Sequence, residues 1–214
     1  YIREGDSMGD VYITKVLKRD ATGAIAVAAD GSLSSMDLPN GERLRIGNTN
    51  PDFTLGWRNN ISWKGLNLSF LINARVGGIV TSETQAVLDQ FGVSKATAEA
   101  RDRGYVEVAG GQRVDPQKYY EIVANQQLLG YYYYSATNIR RQNVSLTYTL
   151  PKTLLGQGWP GITVGFIANN LWMIYNKAPF DPEIAASTGT YGQGSDYFSA
   201  PSLRNIGFSL KLNF

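Results

Sequence analysis

The chain has 214 residues, 20 Lys and Arg against 18 Asp and Glu, and only 18% of its residues are charged; the basic residues are neither abundant nor clustered, so nucleic acid is not suggested as a partner. It contains no Cys and no His, which removes disulfides, thiolate metal sites and the commonest general base and metal ligand. No run of about 18 apolar residues occurs, so no transmembrane helix is expected, whereas a transmembrane β-barrel stays open because its signal is alternation.

The chain opens Tyr1-Ile2-Arg3, with neither an initiator Met nor a signal peptide, which leaves a processed end or a fragment as readings. Residues 1–52 hold one strand near 11–17, a possible second near 24–28, and loops. Residues 53–63 and 66–76 alternate apolar and polar side chains with period two and flank Lys64-Gly65, a two-residue loop with Gly where a tight hairpin needs positive φ. That loop sets the register: Trp63 opposite Leu66, Ile61 opposite Leu68, Trp57 opposite Ile72 and Phe53 opposite Val76. A long connection, 77–138, carries helix-like stretches at 82–91, 94–103 and 115–126 and the aromatic run from Tyr131 to Tyr134. A third strand, 139–150, leads through the Pro- and Gly-punctuated PKTLLGQGWPG to a fourth at 162–175. A Gly-, Ser- and Pro-rich connection, 177–203, then precedes a fifth strand at 204–214.

One face of these strands is apolar throughout apart from Asn59, ending in the row Ile206, Phe208, Leu210, Leu212 and Phe214. The other is polar apart from Leu71 and Ile167. Short turns and long connections alternate, so an up-and-down meander places every long connection at one end, as outer-membrane barrels do with their external loops. Eleven residues at about 3.3 Å each, tilted about 40°, span about 28 Å against an apolar band about 25 Å tall. Trp57, Trp63, Tyr148 and Phe214 lie near strand ends, where an aromatic girdle belongs. The expected fold is therefore all-β, an antiparallel up-and-down transmembrane barrel. Five or six strands cannot close one, since about eight are needed and a lipid-exposed edge is not allowed; the chain reads as the last strands of a larger barrel. A soluble all-β binding or adhesion module, its apolar faces meeting across a sandwich, is the alternative. A β-rich hydrolase using carboxylates is a third reading.

Three blocks carry a family resemblance: IGNTNPDFTLGWRNNISWKGLNLSFLINARVGG (46–78), YYYSATNIRRQNVSLTYTLPKTLL (132–155), and PFDPEI followed by SAPSLRNIGFSLKLNF (179–184, 199–214). In order and spacing they resemble the carboxy-terminal part of SusC/RagA-type TonB-linked outer-membrane transporters. The resemblance implies a barrel of about 22 strands with an amino-terminal plug that lies outside these residues. It further implies a Gram-negative, Bacteroidetes-like outer membrane, energisation by the TonB complex, a SusD-like surface lipoprotein as partner, and glycans or peptides as substrate. No enzyme activity, cofactor or metal is implied. Members carry an Asp- and Gly-rich DxNGDG-like loop before the GNxxP block; here the stretch reads RDATGAIAVAADGSLSSMD, a departure from that pattern. The last strand, with Phe208, Leu210, Leu212 and Phe214, resembles the signal by which the barrel-assembly machinery recognises its clients.

By strand parity Arg58, Arg75, Arg141 and Lys211 face the interior, as candidate contacts to substrate or plug. Tyr131, Tyr132, Tyr191 and Tyr197 are candidate aromatics at the external mouth, with faces suited to sugar rings or peptides. Gly156-Gln157-Gly158-Trp159-Pro160-Gly161 matches GxGxxG, but a strand follows it and Pro160 interrupts it, so a turn is the reading. The sequons at Asn60, Asn67 and Asn143 lie mid-strand, unsuited to a glycan. Asp181 and Glu183, with Pro182 between them, read as a solvated loop.

Overall fold

In the computed structural model, which describes residues 3–155, 160–183 and 194–213, the alternating segments pair into one antiparallel five-stranded sheet. Its strands are β1 (Phe53–Trp63), β2 (Leu66–Val76), β3 (Asn138–Thr149), β4 (Gly161–Asn176) and β5 (Asn205–Asn213), side by side in chain order. A period of two is what the pleat demands, because successive side chains leave a strand on opposite faces. The sheet belongs to a unit made of 51–77, 136–182 and 200–214; a second unit comprises 1–50, 78–135 and 183–199.

The Lys64-Gly65 turn has φ of 45° and 85°, the doubly positive geometry that matches strand twist. Every pair expected from it is observed, from Trp63 opposite Leu66 to Phe53 opposite Val76. Gly65 is required there twice over, by its positive φ and because a Cβ would lie 2.8 Å from the Thr149 carbonyl oxygen; its own carbonyl accepts the Thr149 N–H at 2.8 Å.

The apolar face lies open. Phe208 is 87% exposed, Leu210 67% and Trp63 66%. Aromatic side chains gather at two levels. Trp57, Trp172 and Tyr175 stand toward the end of the sheet from which the long connections leave; Trp63 and Tyr148 stand at the hairpin end, in the register row that continues through Val164 to Leu210. β1 and β5 each have one hydrogen-bonded strand neighbour among the described residues, so both sheet edges present unpaired backbone.

Parity breaks once in β3. Asn143 faces Leu71 but Arg141 faces Ile72, so Gln142 is an extra residue, and β4 answers with two, Asn170 and Leu171, between the partners of Asn143 and Arg141. A bulge of this kind transfers every residue on one side of it to the opposite face. Asn170 takes the positive φ, 50°, that the irregularity requires.

In the second unit, α1 (Glu83–Gln90), α2 (Lys95–Arg103) and α3 (Pro116–Val123) begin after Ser82, Ser94 and Asp115. Each of these residues accepts a backbone N–H of the first turn through its side chain, as N-caps do. α3 stops before residue 126 and a 3-10 segment, Gln126–Tyr132, follows. The core joins Leu17, Ile25, Leu33, Ala86, Val114, Val123, Leu128 and Tyr132. Residues 11–17 form two short strands, Asp10–Ile13 and Lys15–Leu17. The 24–28 segment is not a strand but two single bridges, Arg19 to Ile25 and Val27 to Leu33. Turns at Asp20 and Asp30, whose carboxylates accept from Thr22 and Ser32, interrupt the pairing.

Candidate functional site

The polar face of the sheet is the candidate site. Its central row runs Arg58, Leu71, Asn143, Asn169 and Asn205 across the five strands. The Asn143 amide donates to Asn169 at 2.8 Å, and Asn73 donates to Gln142. A cleft of about 420 Å³ opens here, lined by Arg58, Ser69, Leu71, Gln142, Asn143, Asn169 and Asn170. Arg58 is exposed. An array of neutral amides and hydroxyls with one accessible guanidinium can hydrogen-bond sugar hydroxyls or peptide groups and attract a carboxylate. Among the described residues no cluster of side chains suited to hold a metal ion occurs.

The four cations expected on this face do not gather. Arg58, Arg75 and Lys211 do lie on it, at separate levels: Arg75 between Thr54 and Asn138, Arg58 in the central row, and Lys211 opposite Thr163. At about 3.3 Å per residue the central row and the Lys211 level are about 20 Å apart along the strand. Arg141 is a correction. The bulge at Gln142 puts it on the apolar face, opposite Ile72 and Trp172, with its guanidinium 5.8 Å from the Phe70 ring centroid.

Arg140 takes the position on the polar face instead. It is 4% exposed and pairs with Asn73 on the polar face. Its guanidinium lies 2.6 Å from an Asp181 carboxylate oxygen, with the two side chains 5% and 9% exposed. Ser202 donates to the other Asp181 oxygen. Longer contacts of 3.4 Å link Arg140 to Asn138 and Ser202. Asp181 is therefore not a solvated loop residue: it bonds the start of β3 to the segments that follow β4 and precede β5. Only the buried cation Arg140 could have announced it, and parity hid that cation.

The aromatic expectation divides. Tyr131 and Tyr197 are 40% and 56% exposed. Tyr132 is a correction: it is 3% exposed in the core of the second unit, and its hydroxyl donates to Asp89 at 2.9 Å. Burial, then the charge of Asp89, push its phenol well above the ordinary range. Tyr191, Phe214 and the first four residues of the GxGxxG match lie outside the described residues. Phe208, Leu210 and Leu212 stand exposed along β5.

A meander of long strands with an open apolar face and a hydrogen-bonding polar face defines an all-β chain. No protein-family profile matches it. Over 238 aligned positions, covering 100% of the chain, it is 24% identical to the TonB-dependent receptor P3 of Formosa agariphila, and it spans 23% of that protein's length. In fold it matches the RagAB peptide importer in the closed-closed state with a TM-score of 0.61, at 19% identity over 100% of the chain and 25% of the other. It matches the open-open state with a TM-score of 0.62, at 20% identity over 96% of the chain and 22% of the other. The chain thus resembles SusC/RagA-type TonB-dependent transporters in sequence and in fold, and spans about a quarter of their length.

Proposed function

We propose that the chain is the carboxy-terminal part of an outer-membrane TonB-dependent importer. One observation carries this reading: the large apolar side chains of β1 and β5 are exposed while the opposite face is an amide- and hydroxyl-lined surface. A soluble sheet buries its apolar face in a core; a membrane barrel turns it outward to lipid and lines a wet interior with the polar one. The open edges at β1 and β5 then pair with the remaining strands of the barrel, because unpaired backbone has no partner in hydrocarbon.

In this reading 77–138 and 177–203 are external loops, Arg58, Arg75 and Lys211 meet substrate or plug inside the barrel, and Tyr131 and Tyr197 stand at the external mouth. β5, with Phe208, Leu210 and Leu212, is the assembly signal. The cargo is a glycan or peptide handed over by a SusD-like lipoprotein, and TonB acts through residues outside this chain. The test is site-directed spin labelling of the complete protein in liposomes at Phe208→Cys, Ser209→Cys, Leu210→Cys and Lys211→Cys. Labels at 208 and 210 should relax with oxygen, and those at 209 and 211 with a water-soluble nickel chelate. Loss of this alternation would sink the barrel reading and favour the soluble module.

A further inference from the structure

The second unit holds a cleft of about 350 Å³, formed by the end of α1 with α2 and α3; small-ligand sites span about 300–1,000 Å³. Its walls follow from local sequence. α1 ends at Gln90 and the chain turns through Phe91 and Gly92, whose φ of 68° suits only a residue without a Cβ. The turn leaves the Phe91 ring 74% exposed at the rim. Gly92 also positions a cation: its carbonyl accepts from the Arg101 guanidinium, and a Cβ there would lie 2.9 Å from Arg101 Nη1. On α3, Gln117, Tyr120 and Glu121 line the same space. Residues four apart share a helix face, and the Gln117 amide donates to the Glu121 carboxylate at 2.7 Å.

Arg101 and Glu121 line one cleft without pairing with each other, and among the described residues neither forms an ion pair. The other carboxylate of the cleft, Asp89, is already engaged by Gln85 and Tyr132. One accessible cation, one accessible carboxylate and an amide give no net preference for a charged ligand. They are planar groups whose paired donors or acceptors match neighbouring hydroxyls, and Phe91 and Tyr120 add apolar ring faces. A neutral pyranose offers both counterparts, C–H groups on its faces and hydroxyls around its edge. An extended peptide is commonly received on a free strand edge, and a cleft walled by helices presents none.

We propose that this cleft binds one neutral pyranose unit of a saccharide, its C–H face against Phe91 and Tyr120 and its hydroxyls on Arg101, Gln117 and Glu121. All of these residues lie within 78–135, in the second unit, so the site goes beyond the transporter reading and does not depend on it. The test is saturation-transfer NMR of the complete protein in a sugar-free detergent. Methyl glucoside, methyl galactoside and methyl mannoside are the probes, with methyl glucuronide and dialanine as controls.

At least one pyranoside should receive saturation, strongest on the C–H protons of one ring face. Phe91→Ala should weaken its binding about five-fold and Arg101→Gln about ten-fold; both positions are exposed, so neither substitution opens the core. Arg58→Ala, on the sheet, should leave the binding unchanged. Absence of transfer to every pyranoside, or transfer unaltered in both Phe91→Ala and Arg101→Gln, overturns the site and leaves the barrel reading standing. Transfer lost in Arg58→Ala instead would move the binding to the polar face of the sheet, and the proposal would fall. Tighter binding of dialanine or methyl glucuronide than of any neutral pyranoside would overturn it equally.

Discussion

Replacing Asp181 with Ala leaves the Arg140 guanidinium buried without its carboxylate. The pair is 2.6 Å long with side chains 5% and 9% exposed, so solvent does little to screen the loss; removing one partner of such a pair costs about 3–5 kcal/mol. Other contacts of Arg140 remain, among them those to Asn138 and Ser202 at 3.4 Å, so we take the lower end, about 3 kcal/mol. That corresponds to about a hundred-fold shift in a local opening equilibrium. Hydrogen exchange of the complete protein in detergent reads it directly: the amides of residues 138–141 should exchange about a hundred-fold faster in Asp181→Ala. The paired substitution Arg140→Met with Asp181→Leu removes both charges and should return protection to within about 1 kcal/mol of the parent. Unchanged protection in Asp181→Ala, or a double variant worse than either single one, would refute the assignment of a closed ion pair.

Phe208→Arg on the open face should cost about 2–4 kcal/mol in the membrane, while Ser209→Arg on the polar face should cost little; the heat-dependent gel mobility of the folded barrel separates them. Gly165→Val places a Cβ that would meet Ser209 Oγ at 2.4 Å and Thr147 Cγ2 at 3.0 Å. It should destabilise the sheet by about 1–3 kcal/mol in urea unfolding, and Ser209→Gly should restore part of that loss. Tyr132→Phe deletes a buried bond to a carboxylate and should cost the second unit about 1.5–3 kcal/mol. The raised phenol of Tyr132 adds a pH dependence. The neutral form is favoured by folding, so its contribution is complete below the unfolded value near 10 and is lost as pH rises beyond it, because the unfolded chain then releases the proton more readily. Urea titrations followed by tyrosine near-ultraviolet circular dichroism at pH 8 and pH 11 should show that alkaline loss, smaller in Tyr132→Phe.

Local chemistry was legible in the residues themselves. Period-two alternation placed all five strands, because the pleat alone maps odd and even positions to opposite faces. Lys64-Gly65 set the β1–β2 register through its φ angles, and Ser82, Ser94 and Asp115 marked helix starts because a side-chain cap needs only the next three residues. What parity could not reach is whatever depends on a partner strand or a distant loop. The extra residue at Gln142 is defined only against Leu71 and Ile72, yet it exchanges the roles of two adjacent arginines, sending Arg140 to Asp181 and Arg141 to Phe70. Tyr132 belongs to the same aromatic run as the exposed Tyr131, and only the packing of Leu17, Val123 and Leu128 around it, with Asp89 below its hydroxyl, makes it core. Which face a residue takes within a regular strand is a matter of counting; where the counting is interrupted, and what is waiting on the other side, is decided by contacts between segments that lie tens of residues apart.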